Sequence, residues 1–454
     1  MLMQKDRLAQ ALVLVLAQRL QQGCALDEDD FRRRIAAAAH SYDALYALAL
    51  ELRDPPLRPD WPYREPMDWD GIVAASQTLN PGRAWQQPDF QRAAGKVRAG
   101  FLGSVCGCVL GKPVEIDPTL AELKAAAGAQ DTWPLDDYVS VELLERLGRR
   151  HESWQETTRG NITAVAADDD LHYSIIGMLL LESHGPGFSH DDIYRTWTLN
   201  MPSGWTWGPE RTALTHCAAS LHHFFAESPV ADVHDVLLLN PGDEMCGALI
   251  RADAYGYACP GNPDLAAWLA WKDASFTHIR TGVYGPMFIA ALIALAFEHE
   301  AGGPGNHRLD FVHLALQRIP GASRFAEVVR DALGRVADAG DWESAYTSIH
   351  GRYKEYTHCQ VYQEIGTVLN TLKFAESVGH GIGLQVSQGN DTDSFGATAG
   401  SVLGVLFGPG HLDRRWLAPF GGEIRPALAS FGERSLDELA ARMSLLPELV
   451  YSQS

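Results

Sequence analysis

The segment Gln388-Gly389-Asn390-Asp391-Thr392-Asp393-Ser394 places two carboxylates two positions apart, with a hydroxyl beside them, at the start of a helical run. The run continues Phe395-Gly396-Ala397-Thr398-Ala399-Gly400-Ser401-Val402-Leu403-Gly404, so Gly396, Gly400, Gly404 and Gly408 recur every four residues. Each glycine costs a soluble helix about 1 kcal/mol against alanine. Four in one register therefore predict a second backbone packed closely along that face. The acidic pair sits at a helix mouth, where free N–H groups and carboxylate oxygens together can hold a hard cation or a hydroxyl.

Reading outward, a second glycine-stepped helix precedes it. Residues 92–110 are helical in pattern, with Gly103, Gly107 and Gly111 at the same four-residue step and a turn Gly111-Lys112-Pro113-Val114-Glu115 behind them. A second acidic mouth, Ala167-Asp168-Asp169-Asp170-Leu171-His172-Tyr173-Ser174, leads into an apolar helix stopped by Gly185-Pro186-Gly187. One or two aspartates serve as a helix cap. Three adjacent ones repel each other, so the cluster points to a cation. All-oxygen donors of this kind suit magnesium or manganese.

The chain has 454 residues, 37 Lys plus Arg against 57 Asp plus Glu, and a net charge of −20, which argues against nonspecific nucleic-acid or anionic-membrane binding. Seven cysteines, an odd number among apolar neighbours, read as reduced thiols of a cytoplasmic protein. The most apolar stretch, 281–297, is short of a membrane span and contains Pro286, so a buried core helix is expected there. Residues 1–90 read as an N-terminal helical extension and a connector rich in proline and tryptophan (Trp61, Trp69, Trp85), with the main domain over 91–450. Alternating apolar runs long enough for a sheet are lacking, so the fold class is all-α.

Four ordered blocks resemble the ADP-ribosylglycohydrolase family over roughly 95–410: Gly103 to Glu115; Asp168-Asp169-Asp170; Gly247-Ala248-Leu249-Ile250-Arg251 running on through Thr277-His278; and Asn390-Asp391-Thr392-Asp393-Ser394. The resemblance implies a compact multi-helix orthogonal bundle around a central site with two Mg2+ or Mn2+ ions, held by Asp168, Asp169, Asp170, Asp391, Asp393 and Ser394. Departures from the family pattern are Cys108 in place of an aspartate, Asp168 in place of a threonine (or Ala167, if the register slips by one), Leu171 for a second threonine, and Ser394, which retains the hydroxyl.

The activity so implied is hydrolysis of an N- or O-glycosidic bond to ribose, with an ADP-ribosylated protein as the leading substrate. The alternatives are a smaller riboside or nucleoside, and a non-catalytic ADP-ribose-binding homologue. Such chemistry needs an oxocarbenium-like transition state, a positioned water and help for the leaving group. The resemblance gives Asp393, then Asp169 or Asp391, as the carboxylate that accepts the water's proton. It gives Glu115 as a group on the scissile side or a lid, with a turn salt bridge as the alternative. His278 is expected at the ribose or phosphate, or as a structural histidine. Arg251 is expected at a diphosphate, or in a buried ion pair with Asp253 or Glu244. Tyr284 and Gly285 are expected beside the pocket, where glycine lets backbone approach a ligand.

Overall fold

A computed structural model of the chain describes residues 3–80, 86–128, 133–219 and 235–453; Trp85 lies outside them. The described residues are helical with isolated bridges only, so the all-α expectation holds. The Phe90–Gly111 and Thr392–Phe407 helices form the centre. They run antiparallel, with Gly103 facing Gly400, Gly107 facing Gly396 and Gly111 facing Thr392. A methyl carbon built on Gly107, Gly111 or Gly400 would overlap the backbone of Gly396, Thr392 or Gly103. The glycines are thus required by backbone-to-backbone contact, and the Thr392 hydroxyl donates to the Gly111 carbonyl at 2.9 Å.

Phe90–Val114 is long and apolar enough to cross a membrane, yet 78% of its apolar window is buried within the fold. The other apolar stretch, Thr281–Ala296, is buried along its whole length, with Pro286 inside the helix. Ala252–Ala258 and Pro263–Ala274 pack against it.

The Lys5–Gln21, Glu28–Ala38 and Tyr42–Glu51 helices enclose a small core of their own, including Leu12, Leu16, Ile35, Leu45 and Leu52. A buried ion pair ties it to the body: Arg19 Nη1 lies 2.7 Å from Asp243 Oδ2. The connector's aromatics also reach across, Trp69 meeting Trp271 at 5.0 Å between ring centroids.

The central contact predicts opposite outcomes for two glycine substitutions. Gly107→Ala lowers unfolding stability by about 3 kcal/mol, because neither backbone can yield. Gly334→Ala, at an exposed helical site with nothing near its Cβ position, raises stability by about 1 kcal/mol. Denaturant unfolding of the two variants checks the pair.

Candidate metal centre and pocket

Each acidic mouth is shaped by local backbone chemistry. Asp168 is extended and caps the Asp169–His184 helix, its Oδ1 accepting the Asp170 N–H at 3.0 Å. One oxygen of one aspartate therefore fulfils the capping role, leaving Asp169 and Asp170 for other work. At the second mouth, Gly389 and Asn390 both have positive φ, 79° and 60°. Glycine and asparagine are the residues that enter this region most readily. The Asn390 N–H donates to the Pro118 carbonyl at 2.7 Å and its side chain to Glu364 at 3.2 Å, which fixes the turn. Asp391, at the cap position of the Thr392–Phe407 helix, makes no capping hydrogen bond. Its carboxylate is turned to another use.

The two mouths meet. Oxygens of Glu115, Asp391 and Asp393 lie within 4.8 Å of one another, and so do donor atoms of Cys108, Asp168 and Asp170. Lys112 lies between the helices, its Nζ 2.8 Å from Glu115 Oε2, 2.9 Å from Asp168 Oδ2 and 2.8 Å from Asp393 Oδ2. Both oxygens of Asp170, Oδ1 of Asp391 and Oδ1 of Asp393 are buried without a hydrogen-bond partner. Unpartnered buried carboxylate oxygens are costly, and converging ones are what a divalent cation satisfies. The donor set fits such an ion.

The electrostatics agree with the geometry. Burial, then the charge of Asp393, pushes Asp170 and Asp391 well above the usual carboxylate range. Burial and Asp168 push Asp169 up to about 8, while burial and Asp393 push Glu115 up to about 9. Burial acts on Asp393 too, but the Lys112 ammonium overrides it and holds that carboxyl below its ordinary value. Cys108 is raised well above an ordinary thiol by burial and by Asp168 and Asp170, so it stays a neutral S–H and leaves the donors all-oxygen.

The cluster forms the floor of a pocket of about 660 Å³. Lys112, Glu115, Asp169, Asp391 and Ser394 line it, under walls that include Tyr173, Trp205 and Trp207. Its size is ordinary for a small-molecule site. His151, Cys246, His358 and Cys359 complete one side. The Cys246 thiol is 3.5 Å from Asp391 Oδ2. A hydrogen bond with Cys246, opposed by burial and aided by His358, draws Cys359 down to about 5.

Four expected substrate contacts lie elsewhere. Arg251 is 1% exposed, its Nε 2.5 Å from Asp273 Oδ2 and its Nη1 2.6 Å from Glu210 Oε1, so it is in the buried ion pair given as the alternative, with Asp273 and Glu210 in place of Asp253 or Glu244. It sits behind the pocket wall, 5.4 Å from the Tyr173 ring centroid. His278 is buried beside it, its Nδ1 2.7 Å from Thr277 Oγ1. Tyr284 donates to the Pro66 carbonyl at 2.5 Å, and Gly285 packs on Leu249 inside the Thr281–Ala296 helix. The pocket aromatics went unassigned in the sequence, although the run Gly204-Trp205-Thr206-Trp207-Gly208-Pro209 marks an aromatic loop.

Fold and site define an all-α protein with a carboxylate-lined cation centre under an aromatic-walled pocket. The sequence model of the ADP-ribosylglycohydrolase family matches residues 89–449, and the chain belongs to that family. A solved structure titled "ADP-ribosylglycohydrolase-related protein complex" is similar in fold, with TM-score 0.51 and 18% identity, over 79% of this chain and 99% of that one. No curated protein matches the chain significantly.

Two outcomes test the reassigned residues. Arg251→Ala leaves two buried carboxylates unpaired and lowers stability by about 3–5 kcal/mol, measured by unfolding; unchanged stability with a raised KM would return Arg251 to the substrate. Burial and Arg251 hold the His278 ring well below its ordinary value of 6.5. Below pH 6.5 the unfolded ring takes up a proton that the folded ring refuses, so this contribution to stability is present above pH 6.5 and lost as pH falls toward the folded value. His278→Gln flattens that part of the pH–stability curve.

Proposed function

We propose that the protein is a divalent-cation-assisted hydrolase of an N- or O-glycosidic bond to ribose, with ADP-ribosylated protein as its substrate class. The observation that carries this reading is the grouping of Glu115, Asp391 and Asp393 oxygens within 4.8 Å of one another, with Oδ1 of both aspartates unpartnered, at the pocket that Glu115 and Asp391 line. Magnesium or manganese held there would supply polarisation of the ribose hydroxyls and of a water. The chain's own residues do the rest. In this reading Asp393, and after it Asp169, accepts the proton of a water, and Glu115, one-third exposed, serves the scissile side. Trp205, Trp207 and Tyr173 offer flat apolar surface for a base.

A second reading, a smaller riboside, is favoured by the charge of the pocket. Among the described residues its lining carries Glu115, Glu152, Glu156, Asp169, Glu210 and Asp391, no arginine, and a single lysine already engaged by three carboxylates. A free diphosphate finds little compensation there.

Release of ADP-ribose from a modified protein, against release of ribose from nucleosides, separates the two. In the active assay, Asp393→Ala is expected to lower turnover by at least about 100-fold with helical circular dichroism retained. Chelation with EDTA abolishes it and Mg2+ or Mn2+ restores it. An unchanged rate in the variant contradicts the assignment.

A further inference from the structure

Lys112 lies within the Gly103 to Glu115 block, yet the reading of the site so far gives its ammonium no role. Its ammonium is enclosed by three carboxylate oxygens at 2.8, 2.9 and 2.8 Å, and the residue is only 7% exposed. An ammonium has three N–H donors and no acceptor; one donates to Asp393 Oδ2, and Glu115 and Asp168 are ion-paired with it. The backbone behind it cannot shift easily: Lys112 follows Gly111, which is locked against Thr392, and opens the Lys112–Val114 turn, whose next residue is Pro113. The side chain is also the right sign and in the right place to neutralise carboxylates that would otherwise repel one another.

Besides the oxygens that face the ammonium there are buried ones with no ion pair to it. Asp393 is divided between the two: its Oδ2 meets Lys112, and its Oδ1 is free. Asp170 and Oδ1 of Asp391 are likewise unengaged. One hard cation at about 2.1 Å from its oxygens suits Glu115, Asp391 and Asp393, whose oxygens lie within 4.8 Å of one another. A second at the Glu115–Asp168–Asp393 position would coincide with Nζ.

We propose that the Lys112 ammonium is a tethered cation that permanently fills one of two cation positions in this centre, leaving one exchangeable divalent ion at the Glu115, Asp391 and Asp393 group. This rests on the cation-assisted glycohydrolase reading and narrows it. Unlike a metal, the ammonium has no open position for water or a sugar hydroxyl. Lys112 is therefore a positioning residue: it sets the three carboxylates and their charge, and contact with ribose falls to the single ion.

Manganese binding to the full-length chain tests this, by calorimetric titration with MnCl2 after chelation and by metal content after dialysis. The wild type is expected to bind one Mn2+ per chain. Lys112→Ala is expected to bind two, with its melting temperature in EDTA below that of the wild type and recovered by Mn2+. Lys112→Met serves as the second variant should the alanine form not fold, and the wild-type stoichiometry is decisive by itself. Two ions in the wild type, none, or one in both wild type and folded variant overturns the proposal. Its failure is distinct from failure of the functional reading. A chain that releases ADP-ribose or ribose but binds two ions defeats only the tethered-cation assignment. A chain that binds one ion, gains a second in the variant and hydrolyses no riboside defeats only the activity.

Discussion

The register between the Phe90–Gly111 and Thr392–Phe407 helices is the constraint on which the centre depends. Glycines at a four-residue step on both helices let the backbones touch, and touching backbones admit no slip without a clash. Because the pair is antiparallel, the end of the first helix, with Lys112 and Glu115 just beyond it, is set beside the start of the second, with Asp391 and Asp393. A one-turn slip would move these groups about 5.4 Å apart, well outside ion-pair distance. The cost of glycine in helix interiors is thus offset by the placement of four charged groups to within a few ångströms.

Placement creates an electrostatic problem. Asp168, Asp170, Asp391 and Asp393 are all nearly inaccessible to water, and burying carboxylates together is unfavourable unless cations or protons compensate. Lys112 answers part of it and leaves several oxygens unanswered. The same surplus negative charge that invites a divalent ion also shapes the pocket above, where aromatic rings rather than basic side chains form the opposite walls. Structural charge pairs stay apart from this economy: Arg251 is closed off by Glu210 and Asp273 behind Tyr173.

Much of the fold was legible because it rests on short-range pattern. Glycine at every fourth position, aspartates ahead of apolar runs and the lack of alternation each have local physical causes, and they gave two helices in contact and two acidic mouths. Side-chain destinations were less legible because they are set by tertiary neighbours. Arg251 pairs with groups 22 and 41 residues away, and nothing in its own segment marks Asp273 or Glu210 as partners. Tyr284 was expected at the pocket for its neighbouring glycine, yet it caps the Pro66 carbonyl from a helix buried on every side. Lys112 sits in a turn whose sequence names no partner for it, and only the fold brings its ammonium among carboxylates.

The central claim is that the mouths at Asp168–Asp170 and Asp391–Asp393, over two hundred residues apart in sequence, meet around Lys112 and leave a cation site at Glu115, Asp391 and Asp393. Anomalous diffraction from crystals soaked in MnCl2 measures this directly. The account predicts a manganese peak bounded by oxygens of Glu115, Asp391 and Asp393. Manganese found only at surface carboxylates, with those three side chains turned away from one another, would contradict it.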